Sequence, residues 1–235
     1  DVDMHSKIIF LTEQGEGIDL TIPENITGTL SDFQSIDEKT IMFSSSSFTQ
    51  PPRYYNFNID TSEAVKVWEE QIPGFEPSDY QEVSAYYPSK DGTMIPITYS
   101  YRKSAKLNKN IPVFLYGYGG YNISIRPEFT PKYVAWLRMG GVLAVANIRG
   151  GGELGKKWHN AGRLDKKQNV FDDFLYASKF LEEQNIGNRK STVISGRSNG
   201  GLLVGTTLIQ NPDYFGATLP AVGVLDMLRF TEFTE

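Results

Sequence analysis

The feature that most restricts the fold of this chain is the sequence Gly196-Arg197-Ser198-Asn199-Gly200. A short apolar run at 192–195 predicts a buried strand before it, and residues 200–210 predict a helix after it. A serine between two glycines at a strand-to-helix turn matches the Gly-x-Ser-x-Gly nucleophile elbow. Gly196 and Gly200 provide positions without side chains where the backbone is strained. The sequence therefore predicts that Ser198 is an exposed nucleophile.

An elbow of this kind needs two hydrogen-bond donors that stabilise a developing oxyanion. The backbone N–H of Asn199 is predicted to be one, because it follows the nucleophile at the helix N-terminus. The second donor is expected in the glycine-rich loop at 116–122, which follows a short apolar strand. The alternative is a plain turn whose tyrosines are core residues, but its place after a buried strand favours a functional loop.

From residue 80 onwards, strands alternate with helices. Strands are predicted at 81–87, 94–102, 112–116, 142–148, 192–195 and 215–222, and helices at 131–139, 170–184 and 200–210. Such alternation predicts a mostly parallel sheet covered on both faces. Together with the elbow, it predicts an incomplete α/β-hydrolase domain at 80–235.

Residues 1–70 have a different pattern, with strands predicted at 7–12, 40–45, 54–59 and 64–69 and no helical period. This pattern favours an antiparallel meander, either the last blades of a β-propeller or part of a sandwich. So small a meander closes poorly, so further strands are expected upstream. The proline- and glycine-containing segment 71–79 is predicted to be the linker between the two domains.

Composition excludes several classes of protein. The chain has no cysteine, which rules out disulfides, thiolate metal sites and a cysteine nucleophile. A net charge of −5 without a basic run argues against nucleic-acid binding. No apolar stretch approaches the roughly 18 residues of a membrane span. We expect no cofactor and no metal. A cytoplasmic location is favoured. Because the chain lacks an initiator Met, a periplasmic or secreted location stays open as an alternative.

A second glycine-rich loop, at 149–153, lacks the lysine ending of a phosphate-binding loop and the spacing of a dinucleotide fingerprint. It is interpreted as a structural loop. Arg149 is expected to pair with Glu153 or with another acid.

The general base and acid that Ser198 needs are missing from the sequence pattern. In this fold they follow the serine, in the order acid and then histidine, but both His5 and His159 precede it. His159 is therefore interpreted as structural. Asp226 is either the triad acid or the N-cap of a following helix, and the cap is favoured. Without a base the serine is a poor nucleophile, so we expect either a missing segment or a second chain to supply the triad Asp and His.

Several motifs resemble the prolyl oligopeptidase family, also called prolyl endopeptidases. The segments that carry the likeness are YYPSKDGTMIP at 86–96, YGYGGYNISIRP at 116–127, GGVLAVANIRGGGELG at 140–155, KQNVFDDF at 167–174, GRSNGGLL at 196–203 and AVGVLDMLRF at 221–230. The likeness extends from about residue 80 to the end. It implies a serine endopeptidase that cleaves short peptides on the carboxyl side of proline, with a propeller that filters substrates by size.

The resemblance also implies roles for individual residues. Ser198 would be the nucleophile, and the Tyr118 hydroxyl and Asn199 N–H would form the oxyanion hole. Tyr121, where the family often has Phe, would line the proline pocket with Val224 and Asn199. The triad Asp and His would lie beyond Glu235.

Three alternatives stay open at this point. One is a peptidase similar to oligopeptidase B, which cleaves after basic residues. Asn199 and the Gly120-Tyr121-Asn122 sequence favour the prolyl enzyme instead. The others are a lipase or esterase and a non-catalytic binding module that kept the fold.

Overall fold

A computed structural model describes residues 8–11, 17–20 and 22–232 of the chain. They form two compact units. One unit contains residues up to 78 together with 126–134, and the other contains 79–125 together with the residues from 135 onwards. Within the described residues, no helix is long and apolar enough to cross a membrane.

The first unit consists of antiparallel strands. A two-stranded pair is followed by a four-stranded meander in which neighbours along the chain are neighbours in the sheet. The strands are β1 (Ile8–Leu11), β2 (Gly17–Leu20), β3 (Thr29–Ser35), β4 (Thr40–Ser46), β5 (Arg53–Asn58) and β6 (Glu63–Glu69). Alternation along β5 buries Tyr55 and Phe57, which form one aromatic cluster with the buried Phe43 of β4.

The second unit is built on a six-stranded sheet in the order β12-β11-β9-β10-β8-β7. Its strands are β7 (Tyr80–Pro88), β8 (Met94–Arg102), β9 (Val113–Gly117), β10 (Val142–Ala146), β11 (Thr192–Arg197) and β12 (Ala217–Ala221). Strands β9, β10, β11 and β12 are parallel to one another. Strand β8 pairs antiparallel with β10 on one side and with β7 on the other. This is the mostly parallel sheet that the sequence predicts.

Helices cover both faces of this sheet. The helices are α1 (Pro131–Arg138), α2 (Lys156–Asn160), α3 (Gln168–Glu183) and α4 (Asn199–Gln210). Leu115 of β9 packs in a core with Phe174 of α3 and Leu203 of α4. Its neighbour Phe114 points to the other face and packs against Trp136 of α1, with ring centroids 5.7 Å apart. All five residues of β10 are buried, since both faces are covered.

The predicted helices and strands are found, with shifts of a few residues at their ends. The predicted strand at 142–148 ends at Ala146, and the predicted helix at 170–184 begins at Gln168. The strands β2 and β3 and the short helix α2 were not predicted from the sequence. In β3 the pairing register shifts between Ser31 and Gln34, and Asp32 has a positive φ of 54°, so simple alternation is broken.

Candidate active site

The junction between β11 and α4 is a single residue, Ser198. Its backbone has φ 56° and ψ −118°, a strained conformation for a residue with a side chain. A Cβ on Gly196 would lie 2.2 Å from the Gly200 carbonyl oxygen, so the bend leaves no room for a side chain there. The structure thus contains the tight elbow that the motif predicts.

Hydrogen bonds hold the elbow's backbone on both sides. The Ser198 N–H donates to the Ala221 carbonyl of β12 at 2.9 Å, and the Ser198 carbonyl accepts from Gly201 at 2.8 Å and Leu202 at 3.1 Å. The residue is exposed, and its hydroxyl has no hydrogen-bond partner among the described residues. The hydroxyl therefore projects from a rigid turn and is accessible to a reactant.

The residue after the serine is the first residue of α4. Its N–H has no intrahelical acceptor, and it lies at the positive end of the helix dipole. The Asn199 side chain is buried and makes two hydrogen bonds. Its Nδ2 donates to the Tyr118 carbonyl at 2.6 Å, and its Oδ1 accepts from Lys167 Nζ at 3.1 Å.

The predicted oxyanion loop follows β9 and lies directly beside the elbow. A Cβ on Gly200 would lie 2.8 Å from the Gly117 carbonyl oxygen, and a Cβ on Gly120 would lie 2.5 Å from Asn199 Nδ2. Such close approach requires glycine at both positions. The structure therefore brings the loop at 116–122, from here on the Tyr118 loop, together with Asn199, as an oxyanion hole built from both would need.

A cleft of about 500 Å³ opens beside this loop. It is lined by Gly120, Tyr121, Gly150, His159, Gly162, Arg163, Leu164, Lys167 and Asn199. Tyr121 is 73% exposed and has a positive φ of 53°. Of the three residues predicted to line a proline pocket, the structure brings Tyr121 and Asn199 into this cleft. The half-buried Val224 does not line it.

Comparison with protein-family models matches residues 127–235 to the "Prolyl oligopeptidase family". The matched segment includes the elbow and α4. Residues 127–235 are therefore similar to the prolyl oligopeptidase family.

Relatives with curated names are similar over most of the chain. A "Prolyl endopeptidase" from Elizabethkingia meningoseptica is 43% identical over 197 residues, which is 84% of this chain and 28% of that protein. A "Prolyl endopeptidase" from Dictyostelium discoideum is 39% identical over 215 residues, 90% of this chain and 28% of that protein. The chain thus spans less than a third of the length of these relatives.

Two solved structures are also similar to most of this chain. One, from an analysis of two prolyl endopeptidases, is 40% identical with a TM-score of 0.90, covering 98% of this chain and 34% of that chain. Prolyl oligopeptidase B from Galerina marginata, bound to a 35mer hydrolysis and macrocyclization substrate, is 32% identical with a TM-score of 0.90 over 98% of this chain and 33% of its own.

Sequence patterns alone did not single out Lys167, apart from its place in the 167–174 motif. The residue directly precedes α3, and its Nζ donates to the Gly119 carbonyl at 3.0 Å as well as to Asn199. Burial lowers the pKa of Lys167 to about 8. Periodicity alone suggests an ordinary exposed lysine here. The contacts with Gly119 and Asn199 could not be read from local sequence, because these residues lie 48 and 32 positions away.

The second glycine-rich loop is structural, and a buried ion pair holds it. The Arg149 guanidinium makes two bonds with Asp173 of α3, Nε to Oδ2 at 2.9 Å and Nη2 to Oδ1 at 2.6 Å. Their side chains are 5% and 0% exposed. Burial would lower the pKa of Arg149, but the carboxylates of Asp173 and Asp91 raise it overall. Of the two expected partners for Arg149, "another acid" is correct.

Glu153, the other candidate partner, has a different role. Its Oε1 accepts from the Ile125 N–H at 2.9 Å and from Asn147 Nδ2 at 3.2 Å. Its Oε2 is buried without a partner among the described residues, and burial raises its pKa. Glu153 therefore supports the segment that follows the Tyr118 loop.

The structure shows no base hydrogen-bonded to Ser198 among the described residues. Nδ1 of His159 lies 2.7 Å from the Gly150 carbonyl oxygen and 3.1 Å from the Asn122 backbone nitrogen, so its contacts are with the two glycine-rich loops and not with Ser198. Asp226 accepts from the Arg229 N–H at 3.3 Å and from Arg229 Nε at 2.8 Å. This is a cap-like contact, but a 3-10 turn at Phe230–Glu232 follows instead of the predicted helix. His5 lies outside the described residues.

Proposed function

We propose that this chain is part of a serine endopeptidase that cleaves short peptides on the carboxyl side of proline. The observation that carries the proposal is the strained, exposed Ser198 beside the Tyr118 loop. The named relatives, prolyl endopeptidases at 39–43% identity, support the same activity. The substrate-bound Galerina structure supports peptides as substrates.

The chemistry follows from the site. The Ser198 oxygen attacks the carbonyl carbon of the proline residue, and a histidine takes the serine proton. The negative charge that forms on the carbonyl oxygen is stabilised by the Asn199 N–H and the Tyr118 hydroxyl. When the C–N bond breaks, the histidine gives its proton to the leaving amine. Water then attacks the ester with the same histidine as base, releasing the acid and restoring the serine.

The histidine and its orienting aspartate belong to the proposal and not to the described residues. We propose that they come from polypeptide beyond Glu235 or from a second chain. Either source would complete the order serine, acid, histidine. The 235-residue chain by itself would then show only the weak catalysis of an oxyanion hole without a base.

Specificity for proline would come from an apolar pocket that fits a pyrrolidine ring. We propose that Tyr121 and Val224 supply apolar surface and that Asn199 borders the pocket. An aromatic ring offers a broad apolar surface against which the compact pyrrolidine ring of proline can pack.

Cleavage-site mapping on the complete enzyme tests this function. Peptides that differ only in having Pro, Ala or Arg at the cleavage site should be cut after Pro, by at least about 100-fold in kcat/KM, since a misfit in the pocket costs a few kcal/mol. Ser198→Ala should abolish cleavage. Preferential cleavage after Arg would move the assignment to an oligopeptidase B-like enzyme, and ester hydrolysis alone would indicate an esterase.

A further inference from the structure

One half-buried cation in the described part of the second unit has no acidic partner. Among the described residues, no carboxylate forms an ion pair with Lys167. Its Nζ instead donates to two neutral oxygens, the Gly119 carbonyl at 3.0 Å and Asn199 Oδ1 at 3.1 Å. The Phe171 ring centroid lies 6.0 Å from the same nitrogen.

This position is unfavourable for the stability of α3. A positive charge at a helix N-terminus is repelled by the helix dipole, and burial penalises the ammonium, lowering the pKa of Lys167 to about 8. A neutral side chain would avoid both costs. The hydrogen bonds of Lys167 are therefore best explained by what they hold in place.

The two acceptors belong to the two halves of the proposed oxyanion hole. Gly119 directly follows Tyr118, and Asn199 carries the other donor in its backbone N–H. The Asn199 amide continues the connection, since its Nδ2 donates to the Tyr118 carbonyl at 2.6 Å. Because an ammonium only donates, Lys167 also forces Oδ1, and not Nδ2, to face it.

The tether matters because two adjacent glycines interrupt the loop directly after Tyr118. Gly119 adopts φ 63° and is followed by a second glycine, so the backbone here has more freedom than at any ordinary pair of residues. Catalytic donors must be held to within about 0.5 Å of the productive geometry. We infer that Lys167 is a positioning residue that ties the Tyr118 loop to the Asn199 amide and so aligns the oxyanion hole. This inference rests on the proposed function of Ser198.

The test is Lys167→Met in the complete enzyme, with Lys166→Met as the matched control. Methionine keeps the apolar stem and removes the donors, whereas Lys166 is exposed and has no side-chain bond within the described residues. We expect kcat for a proline peptide to fall about 10- to 100-fold while KM changes little, because misplaced donors weaken only the transition state. Lys166→Met should retain wild-type kinetics.

Two further measurements separate positioning from a general structural role. A peptide aldehyde, which forms a tetrahedral adduct with the serine, should bind Lys167→Met more weakly by the same factor as kcat, while an unreactive peptide of the same sequence should bind as before. Asn199→Ala keeps the backbone donor, and adding Lys167→Met to it should cost less than Lys167→Met costs in the wild type, because the two side chains share one network.

The outcomes distinguish the inference from the proposed function. If Ser198→Ala abolishes cleavage but Lys167→Met leaves kcat and aldehyde affinity unchanged, the positioning role is wrong and the peptidase stands. The positioning role would also be overturned if KM rises and the affinity for the unreactive peptide falls by the same factor. That pattern would mean that the substrate pocket itself is displaced. If Ser198→Ala remains active, the proposed function itself fails.

Discussion

At the scale of single residues, the site depends on positions where only one side chain, or none, can be accommodated. Gly120 is the clearest case, because its missing Cβ is what allows the loop to approach the Asn199 amide. The motif around Ser198 could be predicted from sequence, since an elbow is a local feature of strand, turn and helix. Lys167 could not, because its role depends on acceptors distant in sequence.

A methyl group at Gly120 should damage catalysis more than stability. In Gly120→Ala the new Cβ would lie 2.5 Å from Asn199 Nδ2, so the amide must move and release the Tyr118 carbonyl. We expect kcat to fall at least about 10-fold and the free energy of unfolding to fall by about 1–3 kcal/mol. Steady-state kinetics and denaturant unfolding on the same samples measure both.

Gly155→Ala is the control for backbone strain. Gly155 has a positive φ of 79° but open space around it. It should lose about 1 kcal/mol and keep wild-type kcat. Equal kinetic loss in the two variants would contradict the claim that contact with Asn199 is what matters.

At the scale of helices and strands, hydrophobic patterns predicted the α/β order of the second unit, because its central strand and its long helix show the burial that their sequences indicate. These two elements are the all-buried β10 and the amphipathic α3. The elements that sequence missed break the pattern, as β3 does at its register shift. The partner of Arg149 could not be identified from the sequence either, because pairing with Asp173 depends on how α3 packs beside the loop after β10.

The buried ion pair between that loop and α3 makes a specific stability prediction. Arg149→Met would leave the Asp173 carboxylate fully buried without its counter-ion. We expect a loss of about 3–5 kcal/mol in the free energy of unfolding at neutral pH. Asp91→Asn removes an acid whose side chain is 47% exposed, so about 1 kcal/mol or less should be lost. Equal losses in the two variants would contradict the central role of Asp173.

The contribution of Asp91 to stability should depend on pH. The hydrogen bond from Arg149 lowers the pKa of Asp91 to about 2, below the value of about 3.9 in an unfolded chain. The stabilisation from Asp91 is therefore complete above about pH 4 and is lost as the pH falls towards 2. The difference in unfolding free energy between wild type and Asp91→Asn should shrink over that interval.

At the scale of the whole molecule, the chain spans about 28% of the length of its curated relatives. The chain has the α/β-hydrolase fold, and residues 127–235 match the prolyl oligopeptidase family model. The propeller assignment for the first unit, the domain limits at 1–70 and 80–235, the source of the triad histidine and a cytoplasmic location stay predictions. Composition and local pattern do not determine them, because they depend on how distant segments pack and on the surroundings of the protein.

The central claim is that Ser198 is an activated nucleophile. Treating the complete enzyme with a fluorophosphonate and mapping the adduct by peptide mass spectrometry tests it directly. We expect one adduct per active site, on Ser198, and protection by a proline-containing peptide. An adduct on another residue with full loss of peptidase activity, or cleavage after proline that persists in Ser198→Ala, would contradict the account.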